Sequence, residues 1–255
     1  MQAALARDGF VTVPALAAPA EIAALISALE TAELARAERG GQTFGARNLL
    51  DLPMVRTIVQ SPALAGLLIP FLGQGYHTVR GLFFDKTEGA NWPVLWHQDL
   101  SLAVKAQRDL PGWNNWSVKR GVLHVQPPAA ILARMVTMRL HLDDCSADNG
   151  PLRVIAGSHA DGILARGAIN ARVATGNVQT VLANSGDALF MRPLILHASS
   201  PATRPRHRRV LHLEFAPQKL LPEGLDWAAP IPGGLCPYEG GGPGGVTYRV
   251  ALGGV

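Results

Sequence analysis

Apolar positions along the chain fall into two textures. In the first 75 residues they recur with helical spacing: Ile22, Leu25, Ile26 and Leu29 stand at i, i+3, i+4 and i+7, the stripe of one buried helix face. That spacing predicts a helix from Pro19 to Arg39, with Pro19 and Glu21 suited to its first turn and Gly40-Gly41 to its stop. A second helix is predicted from Ser61-Pro62 to Gly73, burying Leu64, Leu67, Leu68 and Phe71. The preceding Gly9–Pro14 segment reads as a strand, and Gln42 to Leu50 as a polar loop carrying Arg47 and Asn48. From Tyr76 onward the pattern changes. Short β-rich runs at 76–86, 120–126, 131–143, 152–155, 179–183, 187–196 and 207–216 are separated by turn residues such as Asp148-Asn149-Gly150-Pro151. Strands this short predict a sandwich or barrel.

Two of these runs alternate strictly. Met138, Leu140 and Leu142 fall on one side of 136–143, with Thr137, Arg139, His141 and Asp143 on the other. In 208–215, Leu211, Leu213 and Phe215 alternate with Arg208, Val210, His212 and Glu214. A polar face usually means solvent, but Arg and His set within hydrophobic strands suit the polar lumen of a small barrel. The expected architecture is α+β and mainly β. One domain over 1–255 is expected, made of helical support (1–75), a β-core (76–216) and a loop-rich extension (217–255).

The sharpest local signal is Trp96-His97-Gln98-Asp99. An i, i+2 pair on extended chain points both side chains the same way, so an imidazole and a carboxylate can meet one ion. His197, at the end of the apolar run 194–196, can supply a third ligand. Two His and one carboxylate on one face of an octahedron are the ligand set of non-haem Fe(II) oxygenases. Arg208, eleven residues past His197, can grip a carboxylate in two parallel hydrogen bonds and hold a chelating oxo-acid against the metal. Ser199 shares the direction of His197 and can add a hydroxyl. The pattern alone is ambiguous, because His141-Leu142-Asp143 matches it as well. The position of His97 after a Pro- and Trp-rich loop favours the first pair.

Composition narrows the function classes. The chain has 255 residues, 48% of them hydrophobic and 16% charged, which excludes disorder as its overall state. No apolar run is long enough for a transmembrane helix, the N-terminus lacks the order of a signal peptide, and the expected location is cytoplasmic. The net charge of +4 is a mild excess, and the arginines crowded at 204–209 lack interleaved aromatics, so nucleic acid is not an expected partner. Cys145 and Cys236 form no CxxC pair, so neither a zinc site nor a disulfide framework is indicated. An oligomer is possible but not indicated.

Taken together and in order, His97-Gln-Asp99, Leu142-Asp-Asp144 through Asn149-Gly-Pro-Leu152, Ala156-Gly-Ser-His159 and His197-Ala-Ser199 through Arg208 resemble the phytanoyl-CoA dioxygenase family. These are Fe(II)- and 2-oxoglutarate-dependent oxygenases that include the ectoine hydroxylases. The opening Asp8-Gly-Phe10 fits the same pattern, and the match runs over roughly residues 7 to 216. The resemblance implies a double-stranded β-helix, or jelly roll, with the N-terminal helices on the outer face of the major sheet. It also implies iron held by His97, Asp99 and His197, with Arg208 and Ser199 on the distal carboxylate of 2-oxoglutarate. Arg139 matches a position lining the co-substrate and substrate pocket, and Arg80 lies near another such position, expected to bind the co-substrate. Ala156 and Ala198 replace residues usual in the family's turns. The retained Asp99 favours hydroxylation over halogenation, since halogenating relatives carry a small residue there.

The expected reaction is hydroxylation of an unactivated C–H bond in a small molecule, an amino acid or other polar metabolite. Dioxygen is consumed and 2-oxoglutarate goes to succinate and CO2. A CoA thioester or natural-product intermediate is the alternative substrate. From another class, a cupin-like metal-binding isomerase, hydrolase or sensor would have no use for Arg208. Arg47 and His124 are candidate substrate contacts, each weighed against an ordinary solvated or structural role. Trp92, Trp96 and the loop 105–119 can cover the site; equally, Trp113 and Trp116 can simply pack a long surface loop. The Gly-rich stretch 239–245 reads as a flexible loop or lid.

Overall fold

A computed structural model describes residues 1–32, 34–39 and 42–233. Cys236 and the Gly-rich stretch 239–245 lie outside the described residues. The elements run α1 (Gln2–Arg7), β1 (Phe10–Val13), α2 (Pro19–Thr31), β2 (Ala35–Arg39), β3 (Gln42–Arg47), α3 (Pro53–Val59), α4 (Pro62–Leu72) and β4 (His77–Lys86). They continue with β5 (Val94–His97), β6 (Leu102–Val104), β7 (Asn114–Lys119), β8 (Val122–Gln126), α5 (Ala129–Leu132), β9 (Val136–His141), β10 (Leu152–Ile155) and α6 (Arg166–Thr175). The chain closes with β11 (Val178–Val181), β12 (Ala188–Met191), β13 (His197–Ser199), β14 (Arg208–Ala216) and β15 (Ile231–Pro232).

The major sheet has the order β1-β12-β9-β14-β4-β3-β2, with β15 added on β4. The minor sheet has the order β11-β10-β13-β5, and a third, smaller sheet is β6-β8-β7. All pairings are antiparallel, and the two larger sheets form the expected jelly roll. The strict alternation in β9 and β14 divides the major sheet into two faces. Met138, Leu140, Leu211, Leu213 and Phe215 pack against Leu25 and Leu29 of α2 and Leu64 and Leu68 of α4. Each such side chain contributes about 1.5–3 kcal/mol when fully buried. The opposite face carries Arg139, His212 and Glu214 toward the minor sheet. The helices therefore sit on the outer face, and the polar alternation lines a lumen, as the pattern predicts.

Several boundaries differ from the periodicity. The first long helix ends at Thr31, because Leu29 is the last large apolar residue on its stripe, and Ala35–Arg39 pairs instead with Gln42–Arg47. The expected loop at 42–50 is thus largely strand β3, which docks on β4 through Gly45↔Phe84 and Arg47↔Leu82. Gly45 permits this contact, since a Cβ there would stand 2.7 Å from the Phe83 carbonyl. Residues 129–132 are a short helix rather than the start of a strand, and the run 187–196 breaks after Met191. The region 105–119 contains β7, and Trp113 and Trp116 pack on a cluster with Leu102, Val125 and Trp227, not over the site. Among the described residues no single helix is long and apolar enough to cross a membrane.

Candidate metal centre and co-substrate pocket

Strands β5 and β13 run antiparallel with His97 directly opposite His197, their ring centroids 4.2 Å apart. Asp99 follows two residues on, where its backbone N–H donates to the Pro193 carbonyl at 2.9 Å. Gln98 points the other way and is buried. Its amide donates to the Gly162 and Leu194 carbonyls, both at 2.7 Å, and accepts from the Leu164 N–H at 2.9 Å. The intervening residue thus pins the metal-binding turn to the loops beneath it. On the other strand, the buried Ser158 hydroxyl accepts from the Leu196 N–H and donates to the Ile155 carbonyl, both at 2.8 Å, which fixes the approach to His197.

Both histidines use the same orienting device. Nδ1 of His97 lies 2.8 Å from the Leu95 carbonyl, and Nδ1 of His197 lies 3.0 Å from that of Ile195. A carbonyl can only accept, so each Nδ1 carries the proton and each Nε2 presents its lone pair. His97 Nε2 stands 3.9 Å from Asp99 Oδ1, and His197 Nε2 stands 3.7 Å from Asp99 Oδ2. The three donor atoms all lie within 4.8 Å of one another. Ligand bonds to one transition-metal ion run at about 2.0–2.2 Å, so these separations suit a shared centre.

The electrostatics agree with a cation site. Burial opposes ionisation of Asp99, but His197, His212, His97 and Arg80 outweigh it and hold the carboxyl below the usual carboxylate range. Burial pushes His197 down to about 4, so its imidazole is neutral and ready to ligate. Asp99 Oδ2 is buried with no hydrogen-bond partner among the described residues, an orphan that a metal ion would satisfy. The competing pair His141-Leu142-Asp143 is spent elsewhere. Both Asp143 oxygens are taken by Arg209, at 2.7 Å from Nη2 and 3.0 Å from Nε, and His141 lies buried with neither ring nitrogen bonded among the described residues.

The triad opens on a cavity of about 290 Å³ between the sheets, lined also by Arg139, Ser199, Arg208, His212 and Glu214. Arg208 is buried. Its backbone N–H donates to Asp85 Oδ1 at 3.2 Å, its Nη1 donates to the Gly150 carbonyl, and its Nε has no partner among the described residues. No carboxylate forms an ion pair with this guanidinium among those residues. Gly150 is confined to glycine there, with φ +63° and a would-be Cβ 2.8 Å from the Ser200 carbonyl. That explains the Asn-Gly-Pro signature as the turn supporting Arg208.

Arg80 lines the same cavity but stands away from Arg208. It pairs with Glu214 at 3.0 Å and bonds the Ser101 carbonyl at 3.3 Å. Six residues along β4 separate it from the position opposite Arg208, about 20 Å of strand. Arg139 sits between the two groups, its Nη1 3.1 Å from His212 Nδ1 and its guanidinium 5.7 Å from the Phe84 ring. Arg47 lines both this cavity and an adjoining one of about 230 Å³, which it shares with Arg80, Lys119 and His124. Its Nη1 is buried and unpartnered among the described residues. His124 is buried, and burial lowers it to about 4.

Trp96 is placed away from the cavity. It alternates with His97 on β5, faces outward and stacks 5.4 Å from the Arg153 guanidinium. Trp92 lines the cavity instead, edge-on to Phe44 at 4.9 Å. Lys86 is not among the residues that the motifs single out. Parity is the signal that finds it, since Arg80, Leu82 and Phe84 of the same strand all line the cavity and Lys86 continues the even-numbered face.

The solved structures with this fold include EctD from S. alaskensis with 2-oxoglutarate and 5-hydroxyectoine (TM-score 0.66, 16% identity, 86% of this chain and 75% of that one). They also include HygX from Streptomyces hygroscopicus with nickel and 2-oxoglutarate (TM-score 0.59, 19% identity, 84% and 85%). In sequence, the chain is 28% identical over 186 residues to L-proline trans-4-hydroxylase from Streptomyces griseoviridis, spanning 62% of this chain and 61% of that protein. Residues 5–210, which hold the whole triad and Arg208, match the description phytanoyl-CoA dioxygenase (PhyH). With the ligand set, the buried arginine and the sheet order in agreement, the chain belongs to the phytanoyl-CoA dioxygenase family.

Proposed function

We propose that the protein is an Fe(II)- and 2-oxoglutarate-dependent oxygenase that hydroxylates an unactivated C–H bond of a small polar substrate such as an amino acid. The observation that carries this reading is a three-ligand set, open on one side, sharing a cavity with a buried arginine that has no acidic partner among the described residues. Iron and 2-oxoglutarate, when bound with dioxygen, supply the oxidising power, and 2-oxoglutarate leaves as succinate and CO2.

The protein's own residues do the rest. His97, Asp99 and His197 would hold the metal. Arg208 and Ser199 take the distal carboxylate of 2-oxoglutarate, the guanidinium gaining the anion it lacks. Arg139, braced by His212 and Phe84, borders the space between co-substrate and substrate. The adjoining cavity receives the substrate, with Arg47 and His124 as contacts and Arg80, neutralised by Glu214, as a wall. The Phe44–Trp92 edge contact screens the cavity from water. Trp96 takes no part. The proline hydroxylase relative supports an amino-acid-sized substrate.

The test is anaerobic addition of 2-oxoglutarate to the Fe(II)-loaded protein, followed by its visible charge-transfer band. The wild type and His141→Ala give the band, and His97→Ala does not. Loss of the band in His141→Ala with retention in His97→Ala overturns the ligand assignment. Succinate release is then measured across a panel of amino acids, and Arg47→Ala raises KM for the best of them with kcat changed less.

A further inference from the structure

The adjoining cavity of about 230 Å³ carries more positive charge than its walls balance. It joins the metal-side cavity, since Arg47, Arg80 and Leu82 line both. Three cations face it. Arg80 is neutralised by Glu214 at 3.0 Å, but among the described residues no carboxylate pairs with Lys119, whose Nζ donates to Ser101 Oγ at 3.0 Å. The Arg47 guanidinium has a buried Nη1 and, among those residues, neither a hydrogen bond nor an ion pair. Burial first, and then the charge of Arg80, pushes both Arg47 and Lys119 below their ordinary ranges. Of the described residues in this wall only Asp51 is acidic, and it stands at the rim, 84% exposed and paired with Arg56 at 3.3 Å. His124 completes the polar lining. Its Nδ1 lies 2.9 Å from the Val122 carbonyl and so carries the proton, leaving Nε2 with a lone pair.

We propose that this cavity is a substrate subsite in which Arg47 and Lys119 hold a carboxylate, and that the substrate's nitrogen is uncharged: an N-acylated amino acid or a similar organic acid, not a free zwitterion. This rests on the reading of the protein as an oxygenase of an amino-acid-sized substrate. The argument is one of charge balance. Two half-buried cations without an acid are costly neighbours, and a carboxylate set between them gains charge-assisted bonds from both. An ammonium on the same substrate would need an acid of its own, and the described walls have none to spare. Asp51 serves Arg56, and Glu214 serves Arg80 and lies 3.5 Å from His212. Near His124 an ammonium would also face Arg80, Lys119 and Arg47, the same charges that, after burial, keep that imidazole neutral. A neutral amide N–H meets no such repulsion and can donate to Nε2. Leu50, Val79, Leu82 and Val122 supply apolar wall for an aliphatic side chain.

The experiment titrates three leucine derivatives into the protein loaded with Fe(II) and 2-oxoglutarate, without oxygen, by calorimetry. N-acetyl-L-leucine, L-leucine and L-leucinamide carry net charges of about −1, 0 and +1 at neutral pH. N-acetyl-L-leucine binds at least about tenfold more tightly than L-leucine, and L-leucinamide binds more weakly still. Lys119→Met weakens N-acetyl-L-leucine about ten- to a hundredfold, as expected for a lost charge-assisted hydrogen bond, and Lys119→Arg recovers part of the loss. Because Lys119 lines only the adjoining cavity, Lys119→Met changes 2-oxoglutarate affinity, read from the charge-transfer band, by less than about threefold. L-leucine binding as tightly as its N-acetyl derivative overturns the proposal. So does an N-acetyl-L-leucine affinity indifferent to Lys119→Met, or no binding of any of the three to protein that gives the band. A wild type that binds Fe(II) yet gives no band with 2-oxoglutarate sinks the underlying reading instead.

Discussion

His97-Gln98-Asp99 and His141-Leu142-Asp143 have the same spacing, yet they end in opposite states. The first leaves strand β5 at the open side of the minor sheet, with both side chains turned to a cavity and His197 facing them. The second sits where β9 leaves the major sheet. There Arg209 of the neighbouring strand closes on Asp143, and His141 is sealed at 2% exposure beside Arg139 and Arg208. The difference teaches that a ligand pattern becomes a metal site only where the partner strand brings another neutral donor. Where it brings a cation, the carboxylate is consumed as an ion pair.

The largest expected separation is in metal affinity. Loss of residues that merely orient ligands costs about 10–100-fold, so Asp99→Ala weakens Fe(II) binding by more than about a hundredfold. Asp143→Ala leaves Fe(II) binding unchanged. Equilibrium dialysis under nitrogen checks both, and equal losses would erase the distinction between the pairs.

Stability should order them the other way. Asp143 makes charge-assisted, partly buried bonds to Arg209, and Asp143→Ala costs about 1.5–3 kcal/mol in denaturant unfolding. Asp99→Ala removes a carboxylate whose Oδ2 has no hydrogen-bonded partner among the described residues, so the metal-free protein loses less than in Asp143→Ala.

Acid gives the most graded contrast. Burial lowers His124 to about 4, His141 to about 3 and His197 to about 4 from the ordinary 6.5. The unfolded chain takes up protons at these sites below pH 6.5 while the folded protein does not. Stability is therefore intact above pH 6.5 and falls as the pH drops toward 4, by roughly 1.4 kcal/mol per unit for each histidine. Thermal unfolding of the metal-free protein between pH 7 and 4.5 shows this fall, and it is shallower in His141→Leu. An identical slope in that variant contradicts the sealed state of His141.

Much of this is legible in one dimension. Alternation in 136–143 and 208–215 identifies the lumenal face from residue order alone, because a pleated strand must send neighbours to opposite sides. Trp96 turns away from the cavity beside His97, but alternation alone does not settle this, because a register shift against β13 lets Val94 and His97 line the cavity together. Applied to Arg80, the rule picks out Lys86. Helical spacing overruns the true end of α2, since nothing in a local period announces that Ala35–Arg39 will find Gln42–Arg47 as an edge partner. Arg80 and Arg208 look like partners in the linear chain because distance along a strand is invisible until the register of β4 with β14 is known.

By itself the sequence determined the alternating faces, the helical support, the His-x-Asp spacing with a distant histidine, and an arginine after it. These are properties of neighbours a few residues apart, governed by side-chain period and residue chemistry. Only the folded sheets decided which of two identical patterns meets His197, which arginine is neutralised by Glu214, and that a buried lysine stands across from Arg208. Those outcomes depend on strand order and register, which are fixed by burial of the whole apolar face and are carried by no single segment.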